Sequence, residues 1–262
     1  MIAFTQQQLD AWLLQFLWPF VRIVALVGSA PLFSESTIPI RVKVGLAFVL
    51  TLAVAPGLPA PPAIPPGSYT GLWLLGQQVL IGIAMGFAMR VVFAAVQTAG
   101  EFVGLQMGLS FASFFDPATG ANTAVLSRLL NIVAMLVFLA LDGHLLVLAA
   151  LVRSFDTLPL APIALDRDGW AILAQWGQAI FVSGLLLALP LICALLTINL
   201  AMGILNRAAP QLSVFAVGFP VSLITGLLLL AIVLPHAAPF LEGLFRDGLR
   251  TMSEVAAGLA GK

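Results

Sequence analysis

The sequence predicts an all-α membrane protein with about six hydrophobic helical segments, several of them kinked or broken. Two observations carry that prediction. Hydrophobic residues fill 61% of the 262 positions and charged residues only 8%, whereas a soluble domain carries roughly 25% charge with which to cover its core. The apolar residues also fall into six blocks, interrupted at several points by proline, glycine or a charge.

The first block runs from about Leu9 to Leu32 and has Arg22 at its centre. No basic residue precedes Arg22, and Pro31 directly follows the Gly28-Ser29-Ala30 run that would serve as a cleavage site. The block therefore reads as an uncleaved helix. The second, Val44 to Val54, is short for a span of about 20 residues. It runs into PGLPAPPAIPPG, which can form neither helix nor sheet and is expected to be extended, solvated or docked on a partner. The third, Leu72 to Val96, carries Gly82, Gly86 and Arg90; the fourth, Leu126 to Val152, contains Asn131, Asp142 and His144. Pro190 and Asn199 interrupt the fifth, Ile172 to Leu205, and the sixth, Leu212 to Leu234, holds Pro220.

Between the third and fourth blocks lies the stretch around which the chain is organised, GEFVGLQMGLSFASFFDPATGANTAVLSR from Gly100 to Arg128. Gly100, Gly104 and Gly108 recur every fourth residue, so a helix here carries a bare groove that lets another backbone approach. Phe111, Phe114 and Phe115 follow, then the helix stop Asp116-Pro117 and the turn composition Gly120-Ala121-Asn122. A small-residue, greasy loop at membrane depth is tolerated where it is buried in protein or lines a cavity. The alternative is an ordinary loop with interfacial Phe residues.

Charge distribution gives no orientation. With six spans and the N-terminus outside, Arg41, Lys43, Arg90, Arg128 and Arg207 fall inside, while Arg153, Arg167, Arg246, Arg250 and Lys262 fall outside. Arg22, Arg90 and Asp142 lie within apolar blocks, where a charge must pair or meet water. Two readings stay open for them: ion pairs with other subunits, or a secondary transporter that binds solute through intramembrane Arg and Asp. No internal repeat supports the transporter. Nucleophile-elbow, phosphate-loop and metal-ligand spacings are missing, and Cys193 stands alone, so no catalytic residue, metal or cofactor is expected.

Four collinear stretches resemble the FliR/SctT family of type III secretion export-gate proteins. They are APLFSESTIPIRVKVGLAF (30–48), GLQMGLSFASFFDPATGANTAVLSRLLN (104–131), FLALDGHLLVLAALVRSFDTLPL (138–160) and NLAMGILNRAAPQLSVFAVGFPVSLITGLLLL (199–230). The pattern NR-x-x-PQ-x-x-VF-x-x-GFP is specific, because its polar residues break apolar sequence at unusual places. The resemblance implies helical hairpins packed in a hetero-oligomeric gate of the bacterial inner membrane, at the flagellar basal body. It implies a single polytopic domain over 1–262, with a FliP-like part at about 1–168 and a FliQ-like hairpin at about 169–262. FliP-like and FliQ-like subunits and an FlhB-like specificity switch protein are the implied partners, and unfolded proteins the cargo. It further implies a plug formed by Gly108, Phe111, Phe114, Phe115, Asp116 and Pro117. Contacts to other subunits or the cytoplasmic entrance would come from Arg22, Arg90, Asn199, Arg207, Pro210 and Gln211.

Overall fold

Helix α1, Gln6–Ser29, opens the chain in the computed structural model, which describes residues 6–109, 125–208 and 217–261. The elements that follow are α2 (Ile40–Val54), α3 (Tyr69–Gln106), α4 (Val125–Ala140), α5 (Gly143–Thr157), α6 (Arg167–Trp176), α7 (Ala179–Ala208), α8 (Phe219–Val233) and α9 (Ala238–Leu259). Short 3₁₀ turns lie at Ala55–Gly57 and Leu234–Ala237. Among the described residues there is no strand, so the fold is all-α as the sequence predicts. Five helical stretches are long and apolar enough to cross a membrane, and the bent pair α4–α5 raises the number to six.

Several boundaries differ from the apolar blocks. Pro39 fixes an extended backbone, and α2 begins directly after it, four residues before the block does. Arg41 and Lys43 thus sit in its first turn, where the Lys43 ammonium donates to the Ser34 carbonyl at 2.9 Å. With the 3₁₀ turn included, Ile40–Gly57 reaches 18 residues and qualifies as a candidate span. The proline-rich segment has no regular structure from 59 to 65. Ser68 ends it by capping α3: its hydroxyl accepts from the Gly71 N–H at 3.1 Å.

The third block also continues further than its apolar run. Polar Gln97, Thr98 and Glu101 do not end α3, which has 38 residues and takes in Gly100 and Gly104. The fourth block is two helices, because Asp142 adopts a left-handed φ of 54° and its carbonyl restarts the ladder by accepting from Leu145 and Leu146. The fifth divides at Gly177 into α6 and α7. Helix α9 lies beyond all six blocks.

The chain forms two compact units. The first comprises residues 1–91, 142–177 and 246–262. Its core is built where α1 meets α3 at glycines. A Cβ on Gly82 would lie 2.5 Å from the Arg22 carbonyl and 2.7 Å from Ala25 Cβ, and one on Gly86 would strike Ser29. Removing the side chain is what lets the backbones approach so closely. Trp18, Ile23, Leu26, Leu74, Ile81 and Met85 fill the space around this contact. The second unit comprises residues 92–141 and 178–245. There Phe93, Phe138 and Phe245 form a mutual cluster with ring centroids 5.1–5.7 Å apart.

Candidate functional site

The family resemblance implies a functional loop at about Gly108 to Asn122. The structure describes its two anchors, the end of α3 and the start of α4, both in the second unit. Phe111, Phe114, Phe115, Asp116 and Pro117 lie outside the described residues, as do Pro210 and Gln211.

At the first anchor α3 stops by a defined mechanism. Gly108 takes φ 79°, its N–H donates to the Leu105 carbonyl at 3.1 Å, and the Leu109 N–H reaches back to Gly104 at 3.0 Å. This pair of bonds around a left-handed glycine is a Schellman motif. Gly108 therefore has a backbone duty that a β-carbon would strain. Gly104 and Gly100 lie one and two turns earlier. A Cβ on Gly100 would strike the backbone of Ser127 in α4, and the Ser127 hydroxyl donates to the Gln97 carbonyl at 2.8 Å. The bare groove expected from the glycine repeat is thus occupied at Gly100 by the second anchor. Met107, fully buried, lies against Gly226 of α8, where a Cβ would come within 2.6–2.7 Å of its side-chain atoms. On α7, Gly184 approaches the Ala95 carbonyl. Three glycines therefore bring α4, α7 and α8 against the last four turns of α3, and the loop starts and ends on a tightly packed base.

Asn199 of α7 is the polar link between the hairpin helices: its side-chain oxygen accepts from Ser222 of α8 at 2.9 Å. It is otherwise exposed, as is Arg207 near the end of α7. Gly218 precedes α8 and Pro220 sits in its first turn, so the GFP pattern opens this helix.

Arg22 departs from what the sequence suggested. An intersubunit contact was expected, yet its side chain is fully buried in the first unit and its partners belong to its own chain. Nε donates to Gln78 Oε1 at 2.7 Å; Nη1 donates to the Ser154 carbonyl and hydroxyl at 3.0 and 3.1 Å; Nη2 donates to the Leu158 carbonyl at 2.8 Å. The guanidinium carbon also lies 4.2 Å from the centre of the Phe155 ring. None of these partners is a carboxylate. The physical reason is the end of α5: its last carbonyls lack the full set of helical partners and carry the negative end of the helix dipole. Arg22 caps that end from α1 while Gln78 holds it from α3. A planar fork of donors on α1 can serve acceptors on two other helices at once, which a lysine cannot. With four donors so engaged, Arg22 offers little for binding a solute. Gln78, Ser154 and Phe155 were missed at the sequence level; the signal available was a Gln77-Gln78 pair near the start of the third apolar block.

Arg90 lies on the exposed face of α3, and among the described residues no hydrogen bond or ion pair reaches it. Asp142 is exposed and serves the chain break through its backbone. Cys193 is free and exposed. No group of three potential metal ligands occurs among the described residues.

With membrane-length apolar helices, and with the one buried charge among the described residues spent on internal bonds, the chain is a multi-pass membrane protein. The comparisons with known proteins say which kind. Residues 13–248 match the family described as "Bacterial export proteins, family 1", and the chain belongs to that family. It is similar to the flagellar biosynthetic protein FliR of Escherichia coli (strain K12), with 48% identity over 259 residues and 99% of each chain covered. FliR of Pectobacterium carotovorum is likewise 48% identical over 260 residues, covering 99% of each chain. FliR of Bacillus subtilis (strain 168) is 29% identical over 245 residues, covering 92% of this chain and 94% of that relative. The chain is a membrane-embedded component of the flagellar export apparatus.

Proposed function

We propose that this chain is the subunit that joins FliP-like and FliQ-like partners in the bacterial inner membrane to build the channel for unfolded flagellar proteins. The observation that carries the proposal is the near-complete, collinear match to FliR. In this reading residues 1–168 mimic the FliP-like partner and 169–262 the FliQ-like one, with α7 and α8 as the mimicking hairpin. An FlhB-like specificity switch protein docks at the entrance, near Arg207, Pro210 and Gln211. The segment from Gly108 to Asn122 is the plug, and Phe111, Phe114 and Phe115 seal the passage by excluding water from an apolar constriction. The packed base described above supports this role, because a plug must be anchored to resist ions while its middle yields to cargo. Exposed apolar residues on α7 and α8, among them Leu185, Leu196, Ile224 and Leu228, supply surface for neighbouring subunits. The relatives are named for biosynthesis and export, which accords with a role in passage rather than catalysis.

The test is native mass spectrometry of the tagged protein, purified in mild detergent from its own host while flagella are being made. Several copies each of two small hydrophobic partners should accompany one copy of this chain. A lone monomer or homodimer would overturn the proposal.

A further inference from the structure

The base beneath the loop is tight at its mouth and hollow below, all within the second unit. Met107, the residue before the left-handed Gly108, is fully buried and lies against Gly226 of α8. A Cβ on Gly226 would meet its Cγ, Sδ and Cε at 2.6–2.7 Å, so the thioether takes the place that a side chain on α8 would occupy. One turn away on each helix, Val103 shares the face of Met107 and Leu230 the face of Gly226. These two residues, with Ala99, Leu234, Leu130 and Ala188, line a cavity of about 30 Å³ walled by apolar side chains.

A contact of this kind can release. Methionine is unbranched and flexible, and it adapts to a changed surface at little cost. The glycine opposite it offers a shallow seat, with no side chain to interlock. Close-packed interiors resist repacking because they hold almost no free volume, but here free volume lies one turn below the seat. Its apolar walls give a water no hydrogen-bond partners, so the cavity is room for side chains rather than a polar ligand's site.

We propose that Met107 is a latch. Seated on Gly226, it clamps the end of α3, and with it the first anchor of the loop, to α8. Leaving that seat frees the anchor, while the turn that carries Val103 and Leu230 repacks into the cavity. The inference rests on the plug reading, since a latch matters only where the anchored segment must yield to cargo.

The test uses the full chain in cells that lack their own copy, in a Cys193→Ser background. Met107 Cγ marks where the sulfur of Met107→Cys would sit, close enough to the β-carbon of Gly226→Cys for a disulfide. Flagella are sheared off, and filament regrowth is counted under a membrane-permeant oxidant and again after reductant. The double variant should form the disulfide, regrow no filaments while oxidised and resume on reduction; the Cys193→Ser parent should regrow throughout. Regrowth with the disulfide complete overturns the latch. So does failure of the disulfide to form, which would put Met107 off its seat. Either result leaves the gate reading to its own mass-spectrometric test. Should the reduced variant not regrow, Gly226→Ala decides, because its β-carbon evicts the thioether without a crosslink. Cells whose complex is intact by native mass spectrometry should then leak ions in a membrane-potential dye assay, and intact complexes that stay tight overturn the latch.

Discussion

Arg22 spends a buried guanidinium on neutral acceptors from α3 and α5. Replacing it by Met leaves Gln78 Oε1 and the Leu158 carbonyl without their donor, at about 1–3 kcal/mol for each unsatisfied group. We expect Arg22→Met to lose about 3 kcal/mol, read as a lower unfolding temperature of the purified complex. Arg22→Lys should recover only part, since a point charge cannot hold three directions. Asp142 gives a different lesson. Its left-handed backbone, rather than its charge, is what the structure uses, so Asp142→Gly and Asp142→Asn should preserve swimming motility. Asp142→Val should destabilise by about 1–2 kcal/mol. If Asp142→Asn abolished motility with the protein still present, the carboxylate would matter in its own right. Gly108 is held to glycine by the same φ argument: Gly108→Ala should cost about 1 kcal/mol and loosen the first anchor of the loop.

Close packing at glycine defines the elements' arrangement. Gly82→Val would drive a branched side chain into the α1 backbone, and overpacking of this kind costs about 1–3 kcal/mol; limited proteolysis should show faster cleavage of the first unit. These contacts also explain what was legible in the sequence. Glycine repeats and long apolar blocks announce themselves, so α1 could be placed closely, while α3 and the hairpin helices could be located but not bounded: α3 runs on from Val96 to Gln106, and α7 and α8 begin at Ala179 and Phe219 rather than at Ile172 and Leu212. Helix α9 could not be found that way, because Glu242, Arg246, Asp247, Arg250 and Glu254 break its apolar run. Its buried residues, Leu241, Leu244, Phe245, Met252, Val255 and Leu259, instead follow helical periodicity. The Arg22 site was half legible. A charge inside an apolar block signals a partner, but the acceptors are backbone carbonyls about 130 residues away, which no residue type encodes. For the loop, composition pointed to the place, while its supports came from α7 and α8, far along the chain.

For the whole molecule, the decisive prediction concerns passage. Trimming Phe111, Phe114 and Phe115 together to Ala should make cells carrying the assembled complex leak ions, measured as collapse of membrane potential in a fluorescent dye assay. Complexes that stay tight would remove those residues from the seal. The family was legible from sequence because four stretches matched in order, and the structure adds the anchors that any plug in this chain must use.

The cap that Arg22 places on α5 also has a consequence for biogenesis. Ser154 leaves the ribosome 132 residues after Arg22, which at about 5–20 residues per second is roughly 7–26 s of translation. Throughout that interval the nascent first helix carries a guanidinium whose final acceptors have not yet been synthesised, and only Gln78 can reach it early. The guanidinium cannot reach its final acceptors until residue 158 has been made, and the first unit is complete only after residues 246–262 follow. One side chain thus ties the earliest helix to the middle of the chain.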